Sequence, residues 1–472
     1  MKQFFKNEYR AYRQSWRDYQ DGFKRSNDIV HLPYRSFKFL ILFFLLASLC
    51  YGGSKIGCTT YNHVKVKEFK SVNKDEEKQD KNSFKKNLNK KDLHGLLDCK
   101  NFANLNEKKF TCISKGHKLK VSTTIDTSLQ HFMQDKIRVS NSRMIGLVVM
   151  SVQTGKILSM IGYDKINKSQ NPCTIDRFPA ASIFKIVTAA GAIEQCGFDP
   201  EKIVTYNDGR WTLYKRQLEE KITKYTRTIP FSNAFGQSIN SVFGKIGIYN
   251  LGKNGLTKYA TAFGFNREIN FEIPITPSSI SVPDEPYKIA EIASGYNHET
   301  LISPIYGVVL ASAVLNDGIP VEPTIIDRIE ENGEVIYSSK SINLNQAISP
   351  ITAKSLKTLM NATINSGTSR KFYKGHERDL LLSKLNIGGK TGSLNGNIEG
   401  DDVRYDWFVG FAEEKEGFEK IVMSILVAHE KYIGIKAAQY ARLVMTKYFS
   451  DYFELKKNLK TEKVKPESSK KA

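Results

Sequence analysis

Phe178-Pro-Ala-Ala-Ser182-Ile-Phe-Lys185-Ile-Val-Thr-Ala-Ala-Gly-Ala-Ile-Glu194 is the stretch whose reading decides the fold. It carries one Ser and one Lys three residues apart, a spacing that puts both side chains on the same face of a helix. Beyond Lys185 the run is nearly all apolar, which predicts a buried central helix. A lysine held there is partly desolvated, so its neutral form is favoured and it can serve as a base. A Ser hydroxyl is a weak nucleophile until such a base takes its proton. Backbone N–H groups at the helix N-terminus also face any oxyanion formed beside the Ser. Ser-x-x-Lys recurs at Ser71/Lys74, Ser83/Lys86 and Ser468/Lys471, but in charged tracts with no apolar helix behind them. Only Ser182 has the buried context.

The chain of 472 residues is 40% hydrophobic and 25% charged, an ordinary globular composition with room for one large or two ordinary domains. Its net charge of +21 is not ordinary, and it suggests nucleic acid, an anionic membrane or an anionic polymer as partner. The distribution decides between them. Residues 1–53 carry +5, residues 54–120 carry +9 and residues 456–472 carry +5, which leaves about +2 for residues 121–455. The body is close to neutral and the basicity belongs to the ends. With no zinc-finger spacing and no glycine-rich phosphate loop, the chain reads as having no nucleic-acid partner.

Residues 1–36 form a basic tail. Phe39 to Gly53 is an apolar run flanked by Lys38 and Lys55, short for a span but extended by Phe37 and a snorkelling Lys38. The preceding basic region is long and no Ala-x-Ala site follows, so residues 37–54 read as an uncleaved transmembrane anchor with the basic end in the cytoplasm. Residues 55–118 read as a Lys- and Asn-rich linker or stalk, and residues 456–472 as a basic disordered tail. Two cysteine pairs, Cys99 with Cys112 and Cys173 with Cys196, are open to disulfide formation in an oxidising compartment, as is a chain of free thiols throughout. Between linker and tail lies a domain over residues 119–455. Leu119–Asp126 alternates like a strand and Asp126 is a helix cap. Ile145–Val152 and Lys156–Ile161 form a hairpin. A mostly helical middle follows, with helices over Pro304–Leu315 and Thr352–Ile364. Strands over Tyr405–Ala412 and Lys420–His429 and a helix over Lys436–Phe449 end the body. This order predicts an α+β fold, an antiparallel sheet of N- and C-terminal strands with a central all-helical insert.

Two further stretches add chemistry. In Phe231-Ser-Asn-Ala-Phe-Gly-Gln-Ser238-Ile-Asn240, a second hydroxyl can pass a proton toward a leaving amine and an amide can hold a substrate carbonyl. In Leu385-Asn-Ile-Gly-Gly-Lys390-Thr-Gly-Ser393, a cation and the Thr391 hydroxyl can bind a carboxylate. Gly392 lets substrate lie against the backbone there, and the Ser393 N–H can serve an oxyanion. Ser-x-Asn also occurs at Ser71, Ser169, Ser341 and Ser393, whereas Lys-Thr-Gly occurs once. Ser-x-x-Lys, Ser-x-Asn and Lys-Thr-Gly in that order resemble the penicillin-binding protein transpeptidases and serine β-lactamases. From about residue 119 to about 450, other stretches resemble the transpeptidases too: Thr124–Gln130, Val148–Leu158, Ser303–Gly307, Asn365-Ser-Gly-Thr368 and Trp407–Phe411.

The resemblance implies a set of roles. Ser182 attacks the carbonyl of a D-alanyl-D-alanine stem peptide and forms an acyl-enzyme, with Lys185 as base and Ser238 as proton relay. Asn240 orients the substrate amide, Lys390 and Thr391 hold the terminal carboxylate, and the N–H groups of Ser182 and Ser393 form the oxyanion hole. An amine of a neighbouring stem peptide then takes the acyl group. No metal or organic cofactor is implied, and β-lactams are the expected inhibitors. The catalytic domain would lie outside a cytoplasmic membrane crossed once. No room precedes residue 119 for a glycosyltransferase domain, and the pedestal of the larger monofunctional class is replaced by the basic stalk. That replacement weakens any carry-over of a peptidoglycan polymerase as partner. Rival readings are a D,D-carboxypeptidase, a class D-like β-lactamase, and a non-catalytic scaffold or β-lactam sensor. Asn240 and the absence of a Glu-x-x-Leu-Asn loop after Ser238 count against the β-lactamases. The complete set of motifs counts against the scaffold.

Overall fold

The computed structural model describes residues 87–98 and 101–464. The expected basic tail and transmembrane anchor, Cys99 and the last eight residues lie outside them. Among the described residues no helix is long and apolar enough to cross a membrane.

Strands β1 (Lys109–Ser114) and β2 (His117–Thr123) form a hairpin, and α1 (Thr127–Lys136) follows. Asp126 caps it as expected, its carboxylate accepting from Leu129 N at 3.1 Å. β3 (Ser142–Ser151) and β4 (Ile157–Asp164) make the expected hairpin. A two-residue strand, β5 (Phe178–Pro179), leads through a single 3₁₀ turn at Ala181–Phe184 into α2 (Lys185–Cys196). The middle of the chain contributes the short hairpin β6 (Ile203–Tyr206) and β7 (Arg227–Pro230). Helices α3 (Phe231–Gly236), α4 (Asn240–Lys245), α5 (Gly252–Ala262) and α6 (Pro286–Ser294) come next, then β8 (Leu301–Ile302), which pairs with β5. After these come α7 (Pro304–Leu315), β9 (Ile326–Glu331), β10 (Glu334–Ser338), α8 (Pro350–Asn365) and α9 (Arg370–Tyr373). The last segment is β11 (Leu385–Ile398), β12 (Asp401–Glu414), β13 (Lys420–His429) and α10 (Ala437–Val464).

The main sheet runs β11-β12-β13-β3-β4, antiparallel throughout, so C-terminal strands join the N-terminal hairpin through β13 and β3. All ten residues of β3 are buried, because helices cover both faces. Alternation sends Leu147 and Val149 to one face with Phe408, Met423 and helices α1 and α10, and Val148 and Met150 to the other with Trp407, Leu426 and α2. Each fully buried aliphatic side chain there contributes about 1.5–3 kcal/mol of transfer free energy. On the second face α7, buried along its whole length, packs against β13, β12 and β3. The result is an α+β body whose central sheet holds β11, with the Lys-Thr-Gly stretch, at one edge.

Three expectations need correction. The insert is not all-helical, since β9 and β10 join β1 and β2 in a second sheet of order β1-β2-β9-β10. The linker expected over residues 55–118 gives way to folded structure from residue 87. Leu93, Leu96, Leu97, Phe102 and Leu105 are buried in the larger core, and Lys90 makes a buried ion pair with Glu322 at 2.8 Å. Its apolar residues are sparse among Lys and Asn, so the segment looks solvated until partners distant in sequence supply the rest of the core. The tail expected over residues 456–472 begins as helix, because α10 continues to Val464 and Lys456 pairs with Glu414 across its side. Cys112 is disulfide-bonded, whereas Cys173 and Cys196 are free thiols.

Candidate active site

Ser182 does not begin an α-helix. It sits in the 3₁₀ turn, and Lys185 opens α2 directly after it. In a 3₁₀ turn side chains at i and i+3 eclipse, so the pair is aligned more closely than α-helical spacing would make it. Ala181, just before the Ser, has φ 47°, a left-handed conformation that costs a non-glycine residue about 1 kcal/mol or more. The approach is tied down at the two residues just before that strain. Ala180 N donates to Thr300 O at 2.8 Å, and the indole of buried Trp407 donates to Pro179 O at 2.9 Å.

Lys185 is fully buried and its Nζ touches Ser182 Oγ at 2.8 Å, Asn240 Oδ1 at 2.8 Å and the carbonyl of Ser294. Burial first, and then the nearby charge of Lys390, hold its pKa well below the usual lysine range. The donor count then fixes direction. An amide oxygen and a carbonyl only accept, so a neutral amine spends its two hydrogens on Asn240 and Ser294. Its lone pair is left for the Ser182 hydroxyl. The phenyl ring of Phe243 lies 5.5 Å from Nζ and helps exclude water.

Ser238 follows α3 with φ 57°, and its hydroxyl accepts from Lys390 Nζ at 3.0 Å. Lys390 also donates to Thr391 O at 2.9 Å, and burial brings its pKa down to about 7. Asn240, the first residue of α4, uses Nδ2 to donate to Trp211 O at 2.8 Å. The Thr391 hydroxyl lies 2.5 Å from that of Thr368. Gly392 lies against the Ser182 turn: a Cβ there would stand 3.3 Å from Ala180 O and from Ala181 Cβ. Ser393 is exposed on the same strand.

The fold thus brings two groups side by side, Ser182–Lys185–Asn240 and Ser238–Lys390, with Thr391 and Gly392 along β11. Ser238, expected near Lys185 as proton relay, contacts Lys390 in the structure, while Lys185 reaches Asn240 instead. Thr368, Ser294, Gly295 and Trp211 had no role assigned from sequence. Thr368 had a signal, because Asn365-Ser-Gly-Thr368 is among the stretches with family resemblance. Ser294 acts through a carbonyl and Gly295 through the absence of a side chain, and neither leaves a motif.

Comparison with known proteins bears on the family and the fold. Residues 145–446 match the family described as "Penicillin binding protein transpeptidase domain". Penicillin-binding protein PbpB of Mycolicibacterium smegmatis is 24% identical over 318 residues, covering 62% of this chain and 48% of that protein. The matched stretch spans about half the length of the curated relatives, 46% for penicillin-binding protein 3 of Bacillus subtilis. Among solved structures, the D,D-transpeptidase domain of a peptidoglycan glycosyltransferase from Eggerthella lenta superposes with TM-score 0.57 at 21% identity, covering 70% of this chain and 83% of that one. A penicillin G acyl-enzyme complex of penicillin-binding protein A from Mycobacterium tuberculosis gives TM-score 0.55 at 19% identity, covering 70% and 80%.

Proposed function

The chain belongs to the penicillin-binding protein transpeptidase domain family, and from that premise we propose that it is a penicillin-sensitive serine D,D-transpeptidase that cross-links peptidoglycan stem peptides. The observation that carries the proposal is the buried Lys185 amine, whose lone pair, once neutral, faces the Ser182 hydroxyl at 2.8 Å. Lys185 takes that proton as Ser182 Oγ attacks the carbonyl of a D-alanyl-D-alanine terminus. The tetrahedral oxyanion is met by the N–H groups of Ser182 and Ser393. As the carbon–nitrogen bond breaks, the Ser238 hydroxyl gives a proton to the leaving amine and is resupplied from Lys390. Asn240 keeps one amide hydrogen for the substrate carbonyl, while Thr391 and Lys390 hold the terminal carboxylate. An amine of a second stem peptide then attacks the ester, releases Ser182 and leaves a cross-link. Residues 37–54 would anchor the domain outside the cytoplasmic membrane, with residues 1–36 inside.

The test is gel labelling with a fluorescent penicillin, wild type against Ser182→Ala, followed for hours. Label that persists on wild type and is absent from the variant is the expected result. Label that forms and vanishes within minutes would point to a β-lactamase, and no label on folded protein would overturn the acyl-enzyme reading. Transfer of a labelled stem peptide to an added amine, against release to water, separates transpeptidase from carboxypeptidase.

A further inference from the structure

The last helix outruns the body it packs on. α10 starts at Ala437, whose N–H donates to Asp406 at 2.9 Å, and runs to the turn that joins β12 to β13, residues 415–419. There one stripe of the helix meets the turn: the Tyr448 hydroxyl donates to Glu419 at 2.6 Å and the Tyr452 hydroxyl to Glu414 at 3.0 Å. Helical spacing puts Leu455 and Leu459 next on the same stripe. Cover ends at that point, with Leu455 63% and Leu459 59% exposed. Phe418, in the turn beside Glu419, is 89% exposed. Three large apolar side chains uncovered at one place differ from the scattered apolar residues of an ordinary surface and mark an interaction site.

The surroundings in sequence are basic. Residues 456–472 carry seven lysines against two glutamates, and five of those lysines fall between residues 456 and 465. A row of contacts also joins the Phe418 turn to the place where the chain enters the body. Gln153, in the turn between β3 and β4, donates to Phe418 O, and its own carbonyl accepts from Ser341 Oγ at 3.1 Å, just after β10. Leu88 N donates to Ile336 O of β10 at 2.9 Å. Whatever covers this face must be apolar enough to take Phe418 and two leucines, and it must be anionic. A second copy of the chain would set +5 against +5, and residues 54–120 are themselves at +9. A dissolved polyanion answers the lysines but leaves the three apolar side chains in water. An anionic lipid surface answers both.

We propose that the Phe418 turn and the last turns of α10 form a docking face for an anionic lipid surface. Phe418, Leu455 and Leu459 enter the headgroup boundary, and the lysines after Leu455 lie against the lipid phosphates. Docking of this kind holds the site at a set distance from the lipid. Thr391 lies six residues along β11 from Leu385, which pairs with Glu414, so it stands about 20 Å along the strand from the docking end. The placement is independent of the reaction assigned to Ser182.

The test uses the full-length protein reconstituted into vesicles and reads one introduced indole at a time, after subtraction of the wild-type signal. Phe418→Trp and Leu459→Trp fall at exposed positions and leave the core packing as it is. In vesicles containing phosphatidylglycerol, at low salt, lipids with brominated chains should quench both added indoles, and acrylamide should not. Ile222→Trp, 83% exposed in the β6–β7 connection, should show the reverse. Quenching by brominated lipid should fall several-fold in raised salt, in phosphatidylcholine vesicles, and in a Lys460→Glu/Lys463→Glu background. Leu455→Ser with Leu459→Ser should shift docking, read from Phe418→Trp, about tenfold or more toward the free state. The proposal is overturned if both indoles stay open to acrylamide in phosphatidylglycerol vesicles, or if neutral vesicles quench them as well as anionic ones. Shielding in detergent that grows with protein concentration would assign the face to a second copy, and shielding by inorganic polyphosphate alone would assign it to a polyanion. Either result overturns the lipid assignment.

Discussion

Replacing Gly295 by Ala should disable acylation while leaving the fold in place, and the size of the effect follows from three distances. Gly295 ends α6 with φ +67°, and a Cβ built on it stands 1.8 Å from Ala181 O, 2.4 Å from Ala181 C and 3.0 Å from Ser182 N. Reaching van der Waals separation requires the two backbones to part by about 1.6 Å. One of them carries Ser182. The other carries the Ser294 carbonyl that holds Lys185 Nζ, so nucleophile and base move apart. A misplacement of about 1 Å costs on the order of 100-fold in rate, and a loss of that size or larger is expected in the second-order rate of fluorescent-penicillin labelling. Gly197 supplies the control. It ends α2 with φ +63°, but a Cβ there has nothing within 4 Å. Gly197→Ala therefore carries the same left-handed strain, about 1 kcal/mol, without the collision. Both variants should lose about that much stability in urea unfolding from strain, and only Gly295→Ala should lose its labelling rate. Equal labelling by the two variants would refute the reasoning.

Lys390→Met removes the charge that helps depress Lys185, so the Lys185 pKa should rise and the acid limb of labelling rate against pH should move upward; a limb that stays in place would deny the coupling. The folded-state pKa of Lys390 is about 7 and the unfolded value about 10.4. Between these the unfolded chain binds more protons, so wild-type stability contributed by this group rises with pH over that window. The variant should lose part of that rise, measured as urea midpoints at pH 7 and pH 9. Thr368→Val removes the hydroxyl 2.5 Å from Thr391 and should weaken penicillin labelling about tenfold, with rescue by Thr368→Ser and a smaller deficit for a penicillin methyl ester, which lacks the carboxylate. Equal deficits for acid and ester would mean that Thr368 only supports the fold. Lys90→Met leaves buried Glu272 and Glu322 without their cation and should cost about 3–5 kcal/mol in chemical denaturation; a loss below about 1 kcal/mol would show that the ion pair is not needed.

What the sequence discloses of this site is what side chains disclose at fixed spacing. Ser182 and Lys185 stand out because an apolar run follows them, and such a run marks a helix buried deeply enough to depress the lysine. Lys390 and Thr391 stand out because Lys-Thr-Gly occurs once in a Lys-rich chain. The Asp126 cap and the β3–β4 hairpin are legible because their determinants are local. Legibility fails wherever a backbone atom or a distant contact does the work. Residues 87–105 look like linker, since the partners of the buried Lys90 amine lie more than a hundred residues away in sequence. Gln217 looks like any polar loop residue until its amide is seen to bind four groups of the 207–226 connection between β6 and β7. Ser294 acts through its backbone carbonyl and Gly295 has no side chain, yet one orients the lysine and the other lets the Ser182 backbone pass at contact distance. The motif residues therefore name the chemistry, while its geometry is set from α6 and from the 207–226 connection. On the proposed function, substitutions in those two segments should abolish acylation while every residue of the three motifs stays in place.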